Sequence, residues 1–272
     1  MKYVWTFNTT NNNSAFGYYA LKNNTTNNNS AFGYRALFTN TIGAGNVAVG
    51  LSALYSNTTG NFNTSVGLNS LYSNTFGRYN VAVGLNTLYG NTTGNFNTGL
   101  GTGALQLNTV GDKNTAVGYV ALQQNTLGAR NNAFGYKSLF LNTTGGYNSA
   151  FGTYSLRSNT VGVKNSAFGE NTLTSNTTGS NNSAFGYNAL FSNTTNNNSA
   201  FGYRALKANT TGSYNTAVGH TALFSNTVGT NNSAFGFYAL YSNISGARNN
   251  AVGVNALTLN TIGSNNNAFG YY

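Results

Sequence analysis

The sequence predicts an all-β fold, a β-solenoid (β-roll) in which each coil is one copy of a short repeat. A glycine in NSAFG-like segments recurs at every seventeenth position of the chain, as at Gly50, Gly67 and Gly84, apart from two steps that are shorter by one. A repeating pair of helices needs about 33 residues, so each repeat is too short to hold one. Each repeat also has two turn signals rich in Gly and Asn, and β-branched or aromatic residues between them. That composition favours strands, and the prediction is about 16 stacked coils.

One repeat, residues 232–248, reads NSAFGFYALYSNISGAR, and we number its repeat positions 1 to 17. Asn occupies positions 1 and 12 in all 16 occurrences, Gly occupies position 5, and Leu fills position 9 in all 15 complete occurrences. So strict a period indicates units that are stable only when stacked on their neighbours. We therefore expect residues 1–272 to form a single β-solenoid domain, with a partial opening coil at 1–12 and a partial closing coil at 266–272.

The apolar residues predict which side chains face the interior. Position 4 is apolar in every repeat, so it is predicted to point inward together with the position 9 leucines. The predicted core thus includes Phe16, Phe32, Leu21 and Leu37. Alternation then turns position 3 outward, where its small residues would allow another sheet or chain to pack closely, unless Ala simply fits a tight bend. Position 14 mixes Thr with apolar residues and is predicted to be half-buried.

The invariant Asn and Gly residues predict ladders and turns along the stack. Neighbouring coils lie about 4.8 Å apart, so identical residues align from coil to coil. Stacked Asn side chains bond to the coils above and below, and the predicted ladders include Asn13, Asn29, Asn46, Asn24, Asn40 and Asn57. Gly at positions 5 and 15 is predicted to have positive φ. Proline is absent, as expected where backbone N–H groups bond to neighbouring coils.

The composition excludes most catalytic chemistry. There is no Cys, one His, and only Asp112 and Glu170 as acidic side chains, while charged residues make up 5% of the chain. Disulfides and thiol catalysis need Cys, and general acid–base pairs or nucleophilic triads need more titratable groups than these. The sequence therefore predicts a protein that is not an enzyme and has no cofactor and no metal site.

The net charge of +10 is a weak indication of function. The basic residues are spread over positions 7, 10, 16 and 17 and form no cluster, so we expect solvated side chains, or attraction to an acidic surface or glycan. Specific nucleic-acid binding is not expected. No stretch approaches the roughly 20 apolar residues of a membrane span, so no membrane insertion is expected. The opening MKYVWTF is shorter than the apolar core of a signal peptide, so the sequence does not identify an export route.

Aromatic residues recur at positions 6 and 10. Candidate residues for a self-association or ligand surface are Tyr18 and Tyr34 at position 6, and Tyr55, Tyr72 and Tyr89 at position 10. Outward aromatic stripes usually mark an interaction surface. The possibilities are contact between chains, stacking on sugars, and packing over the coil edge. The Thr columns at positions 13 and 14 add an ice-binding alternative.

The segments NSAFG, NTAVG and NNAVG, each followed by an A-L or S-L pair, run through the whole chain. They resemble the head repeats of trimeric autotransporter adhesins and related tail-fibre-like β-roll repeats of phages and viruses. That resemblance implies a left-handed β-roll, usually of three chains, that is displayed outside a cell or virion and used for attachment. The period of this chain is longer than that of the adhesin heads, and residues 1–272 contain neither stalk heptads nor an anchor barrel.

Together these observations predict a non-enzymatic structural protein, a self-assembling extracellular or virion fibre built by stacking coils. The predicted partner is the chain itself, head-to-tail or lateral, because neither the opening nor the closing coil carries the polar capping sequence that normally blocks stacking. A piece of a longer fibre would look the same. The alternatives are an adhesin that binds surface glycans through aromatic and basic columns, and an ice-binding solenoid.

Overall fold

The computed structural model describes residues 12–272, and these residues form strands and turns with no helix. They belong to two compact units, Met1–Phe134 and Gly135–Tyr272. In each unit every repeat supplies one short strand that is parallel to the strands of the adjacent repeats. The predicted β-solenoid, with one coil for each repeat, is confirmed. The predicted opening coil, 1–12, lies outside the described residues except for Asn12.

Each strand occupies positions 2 to 4 of its repeat and pairs with the same positions of the next repeat, as in Ser166 with Ser183. The first unit contains Ser14–Phe16 (β1), Ser30–Phe32 (β2), Val47–Val49 (β3), Thr64–Val66 (β4), Val81–Val83 (β5), Thr98–Leu100 (β6), Thr115–Val117 (β7) and Asn132–Phe134 (β8). The second contains Ser149–Phe151 (β9), Ser166–Phe168 (β10), Ser183–Phe185 (β11), Ser199–Phe201 (β12), Thr216–Val218 (β13), Ser233–Phe235 (β14), Asn250–Val252 (β15) and Asn267–Phe269 (β16).

Outside the strands the backbone also bonds from coil to coil. The N–H of Leu37 donates to the carbonyl of Ala53 at 3.0 Å, and that of Thr39 donates to Tyr55 at 3.0 Å. The carbonyl at position 13 accepts several donors, so Thr41 and Ile42 both donate to Thr58, at 3.1 and 3.0 Å. Buried backbone groups need such partners. A Pro would remove one of these donors, which is a physical reason for its absence.

The core consists of small residues and leucine. Ala at position 3, Ala, Ser or Thr at position 8, and Leu at position 9 are buried, and the predicted core residues Leu21 and Leu37 are confirmed. The prediction for position 4 is wrong, since Phe16 and Phe32 are 54% and 43% exposed. The prediction that position 3 points outward is also wrong, since Ala31 is fully buried. Position 14 is more exposed than predicted, with Ile42 at 62%.

A narrow interior explains why the aromatic residues point outward. Positions 3 and 8 meet inside each coil, where the Ser65 hydroxyl donates to the carbonyl of Ser70 at 2.8 Å. At the one repeat with Gly at position 3, Gly99, an added Cβ would lie 2.5 Å from the Thr87 methyl. The interior thus holds about one methyl group at each of these positions. A phenyl ring does not fit there, and the strand turns its larger position 4 side chain to the outside.

Neighbouring residues of β10 test this orientation. Ala167→Leu places a large side chain in the filled interior, and overpacking of this kind costs about 1–3 kcal/mol or more. Phe168→Val puts at an outward position the residue that other repeats carry there, so its expected effect is within about 1 kcal/mol. Denaturant unfolding measures both. A larger loss for Phe168→Val than for Ala167→Leu would contradict the orientation.

The Leu at position 9 has a left-handed backbone, a feature that the sequence did not predict. Leu37 and Leu54 have φ values of 49° and 52°. A left-handed conformation costs a residue with a Cβ roughly 1–2 kcal/mol. The fully buried side chain and the backbone bond to the next coil offset that cost. Positions 7 and 17 share this conformation, as at Arg35 and Phe62.

The two turn glycines of the repeat are needed for different reasons. At position 5 the prediction of positive φ is confirmed, with 131° at Gly67 and 132° at Gly84. At position 15 it is wrong, because Gly60 is not among the residues with positive φ. A Cβ on Gly60 would instead collide with the Asn57 amide oxygen and with the carbonyl of Gly77. Close packing against the ladder explains this second glycine.

Candidate functional site

The first ladder is formed by the Asn at position 12, which bonds side chain to side chain. The amide nitrogen of Asn57 donates to the amide oxygen of Asn40 at 2.6 Å and to the carbonyl of Gly60 at 2.9 Å. Asn74 in turn donates to the amide oxygen of Asn57 at 2.8 Å. The predicted ladder through Asn24, Asn40 and Asn57 is confirmed.

The second ladder is formed by the Asn at position 1 and joins a side chain to the backbone. The amide oxygen of Asn29 accepts the backbone N–H of Asn46 at 2.9 Å, and the Asn46 amide nitrogen donates to Gly60 at 2.8 Å. Asn13 accepts from the N–H of Asn29 in the same way. The predicted ladder through Asn13, Asn29 and Asn46 is confirmed. Both ladders are buried for most of their length and bond within the chain, but the amide oxygen of Asn176 is buried without a hydrogen-bond partner.

The repeats that are shorter by one residue lack the position 15 glycine. The repeat at 182–197 keeps the position 1 ladder, but its Asn193 does not donate to Asn176, whose amide oxygen has no partner. In the repeat at 182–197 the carbonyl of Thr195 accepts from Asn182 at 2.7 Å and from Asn193 at 2.8 Å. The Thr195 hydroxyl donates to the carbonyl of Gly212 in the next repeat at 2.7 Å. Deletion of one residue at this turn is therefore absorbed locally, and the register of the stack is maintained.

Threonine at position 13 forms a third column. The Thr58 hydroxyl donates to the carbonyl of Thr75 at 3.0 Å, and the Thr75 hydroxyl donates to Thr92 at 3.1 Å. The hydroxyl hydrogens of this column are thus used between coils, and they are not directed at solvent. Position 14 beside it includes exposed apolar residues such as Phe76. This arrangement does not favour the ice-binding alternative, which a measurement of thermal hysteresis would test.

The aromatic column at position 10 is a continuous stack in the first unit. The rings of Phe38 and Tyr55 lie 5.1 Å apart, those of Tyr55 and Tyr72 5.0 Å, and those of Tyr72 and Tyr89 5.2 Å, with interplanar angles of 3°, 4° and 9°. The three tyrosines are half-buried. Because each ring covers the face of its neighbour, solvent reaches ring edges and not faces. A sugar stacks on a ring face, so Tyr55 and Tyr72 are poorly placed for it.

The stack predicts a dependence of stability on alkaline pH. Burial, followed by the neighbouring Tyr55 and Tyr89, raises the pKa of Tyr72. The folded state therefore holds this proton at a pH where the unfolded state has lost it, and stability falls as pH rises above about 10. We expect Tyr72→Phe to lose less stability than the wild type between pH 9 and about pH 11. Equal losses in urea titrations at the two pH values would contradict this.

Position 6 carries more exposed aromatic residues. Tyr18 and Tyr34 are 43% and 42% exposed, and their rings stack 5.7 Å apart. Beside them, the Lys22 ammonium lies 4.4 Å from the centre of the Tyr19 ring, and the Arg35 guanidinium lies 5.1 Å from that of Tyr34. In this set of Tyr18, Tyr19, Lys22, Tyr34 and Arg35, which we call the Tyr/Arg cluster, exposed rings and cations meet.

Cations also lie on aromatic rings in the second unit, where the Arg204 guanidinium is 4.9 Å from the centre of the Tyr203 ring. Each of the six basic residues at positions 7 and 10 contacts a ring in this way: Lys22, Arg35, Lys137, Arg157, Arg204 and Lys207. Such cation–π contacts stabilise exposed cations by about 0.5–1 kcal/mol. The sequence predicted that these side chains would be surrounded by solvent, whereas in the structure they lie against aromatic rings.

The outward face of the strands is uncharged, with apolar side chains at position 4 beside mostly small polar side chains at position 2. Position 4 carries Phe, Val or Leu in every repeat, and position 2 carries Ser, Thr, Val or Asn. In the second unit the rings of Phe151, Phe168, Phe185 and Phe201 stack at spacings of 4.7, 4.7 and 4.9 Å. We call the outward side of positions 2 and 4 the strand face. The sequence missed it because apolar residues were assigned to the core.

The two acidic side chains accept hydrogen bonds in different repeats. Asp112 accepts the backbone N–H of Asn95 at 2.6 Å, and Glu170, at position 6 of another repeat, accepts from the Asn171 amide nitrogen at 3.3 Å. Within residues 12–272 no three His, Cys, Asp or Glu side chains come together in a group suited to a metal ion. Among the same residues no helix has the length and apolar character required to cross a membrane.

Comparison with known proteins adds nothing to this geometry. The chain matches no protein-family model, no curated protein and no solved structure. The function must therefore be argued from the coils and from their outer surface.

Proposed function

We propose that the chain is a structural, non-enzymatic element of a fibre that is displayed outside a cell or on a virion. One observation carries the proposal: within each unit the same ladder contacts recur from coil to coil, apart from the gap at Asn176. The bond from Asn74 to Asn57 recurs from Asn226 to Asn209 at 2.8 Å. Such contacts make a rigid stack in which any coil is compatible with any other.

Compatibility of the coils also supports head-to-tail stacking between copies. The donors of one coil match the acceptors of the next by repeat position and not by individual residue. A coil from a second copy would thus meet the same set of partners that a coil of the same chain provides. The location outside a cell or on a virion is supported by the resemblance to adhesin head repeats and tail fibres.

Electron microscopy of the purified chain tests the proposal. The expected images are straight, uniform particles that lengthen or associate as the protein concentration rises, and that resist proteolysis. Short single particles at all concentrations would contradict self-assembly. A readily digested chain without regular structure would contradict the structural role itself.

A glycan-binding adhesin is the alternative, and the Tyr/Arg cluster is the observation that favours it. Tyr18 and Tyr34 are exposed there, and the Nε of Arg35 is buried and has no hydrogen-bond partner. An acidic sugar could bond to the guanidinium while it contacts the tyrosines. The test is a glycan array with Tyr18→Ala, and with Tyr55→Ala and Tyr72→Ala as comparisons. The adhesin hypothesis predicts that the chain binds a glycan, and that Tyr18→Ala loses this binding while it still assembles.

A further inference from the structure

We infer that the strand face of one chain packs against the strand face of a second copy, so that the fibre associates laterally. This inference rests on the proposed structural role and adds to it the surface and the partner. Three observations support it: the apolar area of the face, the absence of charge on it, and the spacing of its side chains.

The exposed area is sufficient for a stable contact. In the second unit Phe201, Phe235 and Val252 are 39%, 41% and 40% exposed. At about 40% of the 150–250 Å² that an aromatic side chain can bury, the rings of Phe201 and Phe235 each expose roughly 80 Å², and the half-buried rings of Phe151, Phe168 and Phe185 expose less. We add the exposed areas at position 4 of eight repeats to those of the flanking position 6 residues, such as Tyr203 and Phe237. The sum approaches the roughly 800 Å² per partner of a standard interface. A soluble chain rarely leaves so long an apolar stripe uncovered.

Charge restricts where two copies can meet. The chain has a net charge of +10, and its 12 basic residues repel those of a second copy. The strand face carries no Lys, Arg, Asp or Glu at position 2 or 4 of any repeat. The cations lie at positions 7, 10, 16 and 17, apart from Lys2. Charge-depleted centres with charged surroundings are typical of interfaces between proteins.

The spacing of the side chains identifies the partner as another copy. The rings of Phe151, Phe168 and Phe185 repeat at 4.7 Å. A surface with the same repeat can interdigitate with this ladder at every coil, as mating sheets do in cross-β assemblies. Only another in-register parallel stack has that repeat, and a second copy of this chain supplies one. A lipid surface or a folded globular partner does not.

Two residues of one repeat provide the test. Phe185→Lys places a charge on the strand face, whereas Phe191→Lys places the same charge at position 10, where Lys22 and Lys207 occur naturally. Sedimentation velocity over a range of concentrations is expected to show association of the wild type and of Phe191→Lys, and at least tenfold weaker association of Phe185→Lys. Circular dichroism of each variant checks that the coils are intact.

Other outcomes overturn the inference. It is wrong if the wild type stays monomeric, or if Phe185→Lys associates as the wild type does. Binding of monomeric wild type to uncharged lipid vesicles, lost in Phe185→Lys, would also overturn it in favour of a membrane surface. If Phe185→Lys does not fold, Phe185→Thr removes the ring without a charge and must weaken association. Elongated particles that grow end to end but never pair would overturn the lateral contact and leave the proposed fibre standing.

Discussion

Gly84→Ala is expected to lower the free energy of unfolding by about 3 kcal/mol or more. The backbone at Gly84 has a φ of +132°, in a region that is almost restricted to glycine and costs other residues about 1–3 kcal/mol. The added Cβ would also lie 2.9 Å from the carbonyl oxygen and 2.8 Å from the carbonyl carbon of Gly101. Neither group can move, because both belong to the stacked backbone.

Gly90→Ala in the same repeat is the matched control. Gly90 lies at position 11, where most other repeats carry Ser, Thr or Ala, and the atom nearest to an added Cβ is 3.2 Å away. We expect a change of less than about 1 kcal/mol for this variant. Denaturant midpoints compare the two, and hydrogen exchange locates the loss. Protection should fall in the coils next to Gly84 first, since repeats contact only their neighbours. Equal midpoints for the two variants would refute the argument.

Asn74→Asp is expected to destabilise the chain by about 3 kcal/mol at pH 7, because it buries a charge and replaces a donor that serves two acceptors. The Asn74 amide nitrogen donates to Asn57 at 2.8 Å and to the Gly77 carbonyl at 3.0 Å. A carboxylate would face these two oxygens with a negative charge. It would still accept from the Asn91 amide nitrogen, now at 2.8 Å from the Asn74 oxygen.

The sign of the pH dependence separates this cause from simple loss of packing. Burial and the facing oxygens raise the pKa of the introduced carboxyl group above its unfolded value of about 3.9. The folded state then binds a proton that the unfolded state has lost, so stability falls as pH rises above about 4. The variant should therefore be closer to the wild type at pH 4 than at pH 7. A pH-independent loss would contradict the buried charge.

Asn61→Asp is the control for the second prediction. Asn61 lies at position 16, and its amide oxygen accepts the N–H of Ala44 at 2.7 Å. The chain already carries an acid at the same repeat position, where Asp112 accepts the N–H of Asn95 at 2.6 Å. The expected change is within about 0.5 kcal/mol at either pH. A large loss of stability in Asn61→Asp would show that an added negative charge destabilises the chain at any position, so the effect of Asn74→Asp could not be assigned to the ladder.

The repeat period alone was sufficient to predict the solenoid and its Asn ladders. A repeat this short, with Asn at positions 1 and 12, allows few folds, and amide groups that recur at the coil spacing have each other as partners. The prediction therefore named Asn40 and Asn57 as neighbours, and the structure places their amides in contact. Here each residue's local preference and its place in the stack agree.

The orientation of the strands could not be predicted in the same way. An apolar residue at position 4 was assigned to the interior, yet apolar atoms also make up more than half of an ordinary protein surface. What decides the orientation is the width of the coil, and the width follows from the small residues of positions 3 and 8, which meet inside it as Ser65 and Ser70 do. The left-handed Leu37 was equally hidden, because its conformation opposes the intrinsic preference of leucine and is imposed by the bonds to the next coil.

The tolerance of the turn at position 15 has an evolutionary consequence. A repeat that lacks this glycine keeps the stack, since the Thr195 carbonyl replaces that of glycine as the acceptor for Asn182 and Asn193. Duplication or loss of one whole repeat likewise leaves every remaining coil with an equivalent neighbour. A gene of this kind can therefore change the number of its repeats by recombination between near-identical segments without passing through an unstable intermediate. The length of the protein is then a heritable variable that shifts in units of one coil.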